Sequence, residues 1–200
     1  MDARTQKSEL TRAAIVGAAL DLAAAEGLEA ITLQSVADRI GLSKSGVFSR
    51  VGSRESLQKA VVEEFGRRFI AEVFVPAMQL PKGLPRLEDI MQRWIVRTRD
   101  VDAHTGCIFS AGAFEFDDRE GPLRELLHTE VTRWRAALRR TVLQAIEQGH
   151  LKADTEPEQV VAEMYALILG LIHDVRFLRE PRAADRTGAS WKRLLAAHRK

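Results

Sequence analysis

Apolar residues recur at three- and four-residue spacing along almost the whole chain, and nowhere does a two-residue alternation persist. That periodicity predicts an all-α protein of about nine helices. From Ser8, read as an N-cap with Glu9 in the first turn, Ile15, Ala18, Ala19 and Leu22 form one stripe that stops at Gly27. Thr32 is placed to cap a second helix, 33–40, ended by Gly41. Ser43 is placed to cap a third, 44–50, and Gly52-Ser53 breaks the chain before a fourth that starts at Arg54. Leu57, Val61, Phe65 and Phe69 give this fourth helix its apolar face, running to about Phe74.

The stretch PAMQLPKGLPR, with Pro76, Pro81 and Pro85, is the clearest boundary in the chain. Beyond it the pattern predicts a helix over 87–101 with Ile90, Met91 and Trp94 inward, then a short aromatic helix around 108–116. A long helix comes after Gly121-Pro122, its stripe running from Leu123 through Leu127, Val131, Trp134, Leu138 and Val142 to Ile146. Another opens at Pro157 with Thr155 as candidate cap and repeats Val160, Met164, Leu167, Leu171, Val175 and Leu178. A last, basic helix begins after Arg186.

Composition narrows the class. At 200 residues, with 46% hydrophobic and 29% charged positions, the chain can bury a core without staples. Its one cysteine, Cys107, excludes an internal disulfide and reads as a buried bystander thiol suited to a reducing cytosol. The longest apolar run, 164–172, is nine residues against the ~20 needed to span a bilayer. The charged start, MDARTQKSELTR, leads into no secretory core. The expectation is therefore a cytoplasmic protein without membrane association. A net charge of +2 identifies no partner, but its distribution is informative. Between residues 39 and 59, Arg39, Lys44, Arg50, Arg54 and Lys59 face a single acid, Glu55.

That basic stretch contains GLSKSGVFSR, rich in the residue types of a phosphate loop. A nucleotide loop needs a glycine turn after a strand, ending Gly-Lys-Ser/Thr. Here Gly46 is followed by Val47-Phe48, and a helix precedes Gly41, so the nucleotide reading fails twice. Two short helices joined by a tight turn fit better. Ala37 permits a close crossing, Gly41 can take a positive backbone angle, and Val36, Ile40, Leu42 and Val47 pin the pair. Lys44, Ser45, Gly46, Ser49 and Arg50 then share the outer face of the third helix, as in a helix-turn-helix that enters the major groove. On spacing alone, a solvated basic turn between packed helices stays open beside this reading.

Thr32 with Val36-Ala37-Asp38-Arg39-Ile40-Gly41-Leu42-Ser43, then Lys44-Ser45-Gly46-Val47-Phe48 and Arg54-Glu55-Ser56-Leu57, resembles the N-terminal domain of TetR-family transcriptional repressors. The likeness is close over about 12–65 and loose beyond. It implies an all-helical homodimer, one helix-turn-helix domain per subunit, and a C-terminal lobe that binds an inducer and dimerises through its last two long helices. It implies base contacts by Gln34, Lys44, Ser45 and Gly46, and backbone contacts by Phe48, Ser49, Arg50 and Arg54. The chain departs from the family at Phe48, usually tyrosine, at Ser49, usually tyrosine or tryptophan, and at Arg50, commonly histidine. Val51-Gly52 replaces a common Phe-Lys. The expected organisation is a DNA-binding domain over 1–53, a connecting helix over about 54–75, and a ligand-binding and dimerisation domain over 76–200.

In the second lobe, Phe109, Phe114 and Phe116 accompany the small residues Ser110 to Ala113, which leave space for a ligand or for a neighbouring helix. Met91, Trp94, Phe109, Phe114, Trp134 and Tyr165 are the candidate lining of a pocket for an apolar or aromatic inducer. His104, Cys107 and the acids Glu115, Asp117, Asp118 and Glu120 lack a recognisable metal spacing, and the acids have a role near a helix start. His173-Asp174 reads as a core or dimer-face pair. No nucleophile comes with a base and an orienting acid, so neither enzyme activity nor a cofactor is expected. The expected function is a sequence-specific repressor released from a palindromic operator by its inducer. The alternative is a helical carrier module that never meets DNA.

Overall fold

A computed structural model describes residues 3–200. Among them, nine α-helices of eight or more residues make up the architecture, and there is no strand. They are α1 (Ala3–Glu26), α2 (Leu33–Ile40), α3 (Lys44–Val51), α4 (Arg54–Phe69), α5 (Leu84–Arg97), α6 (Ile108–Glu115), α7 (Pro122–Glu147), α8 (Pro157–His173) and α9 (Ala183–His198). Helices α4, α5 and α8 each run directly into a five-residue π-helical turn, Ile70–Phe74, Thr98–Asp102 and Asp174–Leu178. No helix is long and apolar enough to cross a membrane among the described residues.

The stripes read from spacing are the buried faces in most helices. Ile15, Ala19 and Leu22 of α1, Leu57, Val61, Phe65 and Phe69 of α4, and Leu127, Trp134, Leu138 and Val142 of α7 are all buried. Helix ends depart from expectation in four places. Helix α1 already runs from Ala3, so Ser8 lies inside it rather than capping it. At α8 the cap is Glu156, whose carboxylate accepts the Glu158 N–H, while the buried Thr155 hydroxyl has no partner among the described residues. Helix α9 opens at Ala183, ahead of Arg186. The stripe of α8 ends at Leu171, and Leu178 is exposed, because the π-helical turn inserts a residue and rotates the succeeding side chains off the core face.

The chain forms two compact units, one of residues up to 67 with 108–130, the other of 68–107 with 131–200. In the first, α1, α2 and α3 pack on one another, and the segment from α6 closes the unit against them. Phe109 meets Phe65 edge-on, with ring centroids 5.0 Å apart. The Glu115 carboxylate accepts the backbone N–H groups of Leu28 and Glu29 at 2.9 and 2.8 Å. It thereby anchors the short turn Leu28–Ala30 between α1 and α2.

The core of the second unit is aromatic. Phe69, Trp94, Trp134 and Tyr165 meet edge-to-face at centroid separations of 5.1 to 5.7 Å. This arrangement sets the positive ring edge against the negative face of its neighbour. Beside it Asp102 is fully buried, 3.4 Å from Arg97 Nε, and Arg176 Nη1 donates to its backbone carbonyl at 2.8 Å. Loss of hydration outweighs the two guanidinium groups and raises the Asp102 carboxyl to about 6.

These contacts make two outcomes measurable. Glu115→Ala leaves two N–H groups of the turn without their acceptor and is expected to cost about 2 kcal/mol in urea unfolding. The folded-state pKa of Asp102 lies above its unfolded value, so its contribution is fully present below the unfolded value and is lost as pH rises through about 6. The stability of the wild type relative to Asp102→Asn should therefore fall by about 3 kcal/mol between roughly pH 4 and pH 7, read from paired urea titrations.

Candidate nucleic-acid interface

Helices α2 and α3 have eight residues each, too short to persist alone in water. Local chemistry compensates at each end. The Thr32 hydroxyl accepts from the Ser35 N–H at 2.9 Å, while the Thr32 N–H donates to Ser35 Oγ at 3.0 Å. This is a reciprocal cap built with serine at the third position. Gly41 ends α2 in the left-handed region, φ 68°, and lets the Leu42 N–H reach the Ala37 carbonyl at 3.0 Å. Ser43 Oγ accepts the Gly46 N–H at 3.1 Å and starts α3 immediately after the turn. Val36, Ala37 and Val47 are completely buried between the two helices and α1.

With Val47 turned inward, the other face of α3 is left to solvent. Lys44, Ser45, Phe48, Ser49 and Arg50 are exposed, and Gln34 on α2 is exposed as well. Lys44 has no hydrogen-bond or ion-pair partner among the described residues. Phe48 is 58% exposed, a large apolar ring set mostly in solvent. Ser45 Oγ lies 3.1 Å from Ser43 Oγ, and Ser49 Oγ donates to the Gly46 carbonyl at 2.8 Å, leaving its lone pairs outward. A Cβ on Gly46 would fall 3.1 Å from Ser43 Oγ, so glycine keeps the capping hydroxyl uncrowded. Gln34 Nε2 donates to Asp38 Oδ1 at 2.7 Å along its own helix.

The two arginines are held by the fold. Arg50 Nη1 donates to Ser8 Oγ at 2.6 Å, tying α3 to α1. Arg54 at the start of α4 donates to the Ile31 and Glu29 carbonyls at 2.7 and 2.6 Å and pairs with the Glu29 carboxylate at 3.3 Å. Its guanidinium therefore fixes the turn before α2 while remaining partly exposed. The sequence carries no local signal for this, because the partners are backbone carbonyls more than twenty residues away. The α4 N-terminus adds Ser53 Oγ, which accepts the Ser56 N–H at 3.0 Å.

The six candidate ligand residues divide between the two units. Met91, Trp94, Trp134 and Tyr165 belong to the aromatic core of the second. Phe109 and Phe114 belong to the first, where Phe109 packs on Phe65 and Phe114 is 69% exposed. The Trp94 and Trp134 indole N–H groups are buried without an acceptor among the described residues. Glu115, grouped by its sequence position with the acids before α7, instead anchors the turn at 28–30. His173 is exposed, with Nδ1 3.1 Å from Asp174 Oδ1, which places the pair on an outer face rather than in the core.

Comparison with known proteins gives this arrangement a family. Residues 83–191 match the model of the tetracyclin repressor-like C-terminal domain. No curated protein sequence matches the chain. Among solved structures, a TetR transcriptional regulator from Chloroflexus aurantiacus superposes with a TM-score of 0.86 at 19% identity, covering 97% of this chain and 98% of that one. A TetR-family regulator from Cytophaga hutchinsonii gives 0.81 at 19% identity, covering 96% of each chain. AibR, solved with isovaleryl coenzyme A and operator DNA, gives 0.69 at 19% identity, covering 89% of this chain and 96% of that one. A C-terminal domain model matched over more than half of the chain, on an all-helical fold shared along nearly its whole length, makes this protein a member of the TetR family of transcriptional regulators.

Proposed function

We propose that this protein is a cytoplasmic, sequence-specific DNA-binding repressor that acts as a homodimer and leaves a palindromic operator when a small effector binds. The observation that carries the reading is the outer face of α3. There Lys44, Ser45, Phe48, Ser49 and Arg50 stand exposed over a buried Val47, on a helix capped at the turn. A helix in this setting enters the major groove by its N-terminal end, so Lys44, Ser45 and the uncrowded Gly46 approach base edges, with Gln34 alongside once it releases Asp38. Phe48, Ser49, Arg50 and Arg54 face the sugar-phosphate backbone, where the N-terminal amides of α4 add a favourable dipole.

Dimerisation through α8 and α9 accounts for an otherwise idle surface. Ala162, Ala166, Leu169 and Gly170 lie on one outward side of α8, small enough for a second helix to approach closely. Two subunits so joined would present their α3 helices about one DNA turn apart, ~34 Å, matching inverted half-sites. An apolar or aromatic effector is the remaining part of the reading. Met91, Trp94, Trp134 and Tyr165 supply the apolar surface, and the two unpartnered indole N–H groups would donate to an effector carbonyl or hydroxyl.

Selection of binding sequences from random duplex DNA, followed by fluorescence anisotropy on the selected site, tests the interface. Lys44→Ala is expected to weaken binding by about 1–3 kcal/mol with unchanged helix content, and wild-type affinity should fall steeply with salt. Arg54→Ala should weaken binding and also lower the melting temperature, since its guanidinium holds the turn before α2. Unchanged affinity in both variants would remove α3 and α4 from the interface. Leu169→Arg places a charge on the proposed dimer face. Sedimentation equilibrium should then show monomer where the wild type shows dimer, and a dimeric variant would move the interface elsewhere.

A further inference from the structure

Away from the aromatic core, the second unit contains an open cavity of about 620 Å³. Its walls carry four basic side chains, Arg99, His104, Arg176 and Arg179, against one acid, Glu180. That acid is already engaged, since Glu180 pairs with Arg186 at 2.8 Å. The cations differ in how far they are committed. Arg99 is paired with its neighbour Asp100, and Arg176 spends one N–H on the Asp102 carbonyl. The Arg179 guanidinium has no protein partner among the described residues. Val175 and Pro181 give the cavity apolar surface between the charges.

The backbone around the cavity is unusual in two ways. Two of the three π-helical turns, Thr98–Asp102 and Asp174–Leu178, supply parts of its wall. A π turn places an extra residue in a helix, distorts its groove and recurs at functional sites. Arg179 is the one non-glycine residue with positive φ, 53°, among the described residues. A long cationic side chain is therefore held where glycine or asparagine is the easier occupant.

We propose that this cavity is a binding site for a small organic anion, in which a carboxylate or phosphate group is held by Arg176 and Arg179 while a short apolar body lies against Val175 and Pro181. The volume falls within the range of small-molecule sites. Guanidinium groups match such oxygens in planar, bidentate geometry, and two of them, Arg176 and Arg179, line this cavity. None of its lining residues belongs to the aromatic core or to α2 or α3, so it needs neither to be occupied.

The probe is 8-anilinonaphthalene-1-sulfonate, an anion with an aromatic body, compared with neutral N-phenyl-1-naphthylamine at the same ionic strength. Arg179→Gly removes the guanidinium that has no protein partner among the described residues, and glycine suits the backbone at 179 without strain. This variant should bind the sulfonate about fivefold more weakly or worse, with N-phenyl-1-naphthylamine affinity and melting temperature unchanged. Hexanoate and hexyl phosphate added as competitors identify which head group displaces the probe. The proposal is overturned if the wild type does not bind the sulfonate, if the variant binds it equally well, or if both probes weaken together. It is overturned equally if the variant loses only its dimeric mass in sedimentation, which would make a second copy of the chain the occupant. No readout involves DNA, so this result and the operator experiment stand or fall independently.

Discussion

An eight-residue helix forms one or two turns' worth of internal hydrogen bonds for the entropy of ordering its whole backbone, and such helices do not persist unaided. Helices α2 and α3 both face this constraint, and the remainder of the first unit answers it. Thr32 and Ser43 satisfy N–H groups that would otherwise point to solvent, Gly41 turns the chain without a Cβ penalty, and Val36, Ala37 and Val47 are pressed against α1. Because stability is supplied from behind, from the ends and by Arg50 bonded to Ser8, the rest of the outer face of α3 carries little structural duty. Lys44, Ser45 and Phe48 are free to be chosen for what they touch outside the molecule.

The second unit distributes its polar groups differently. Among the described residues, Trp94 and Trp134 each bury an N–H without an acceptor, Thr98 buries a hydroxyl, and Asp102 buries a carboxylate beside Arg97. A buried polar atom left unpaired costs on the order of 1–3 kcal/mol, so a concentration of them in one core opposes the packing of the rings around them. On the proposed effector reading, an effector acceptor reaching these groups would relieve that opposition. The π-helical turn at Thr98–Asp102 carries two of these residues, and its Arg99 lines the basic cavity. One distorted turn thus borders both the unsatisfied core and the proposed anion site.

How much is legible in the sequence depends on the distance between cause and effect along the chain. The turn at Gly41, the caps Thr32 and Ser43, and the buried faces of α4 and α7 rest on residues within four positions of one another, and periodicity or capping chemistry reveals them. The exposure of Lys44, Ser45 and Arg50 is legible for the same reason, since burying Val47 leaves them outside. The hidden features act over long separations. Nothing local marks Glu115 as the acceptor for Leu28 and Glu29, nor Arg54 as a brace for Glu29 and Ile31. The π-helical turns are illegible too, because inserting one residue preserves the apolar spacing on either side and changes only its phase. Spacing therefore assigns Leu178 to a stripe it does not join.

The Glu115 contact also bears on how a signal could reach α2 and α3. The first unit is not finished at residue 67. It takes 108–130 from later in the chain, and the carboxylate of α6 holds the turn from which α2 departs. Both α4 and α7 begin in the first unit and end in the second, so two helices are continuous along the chain with segments of each. If the protein is an effector-released repressor as proposed, an effector that displaced Glu115 or Arg54 from its amide or carbonyl partners would loosen α2 and, through Gly41, α3. A coupling of about 1–3 kcal/mol is of the same order as those hydrogen bonds, so on that proposal losing one such anchor would shift operator affinity severalfold.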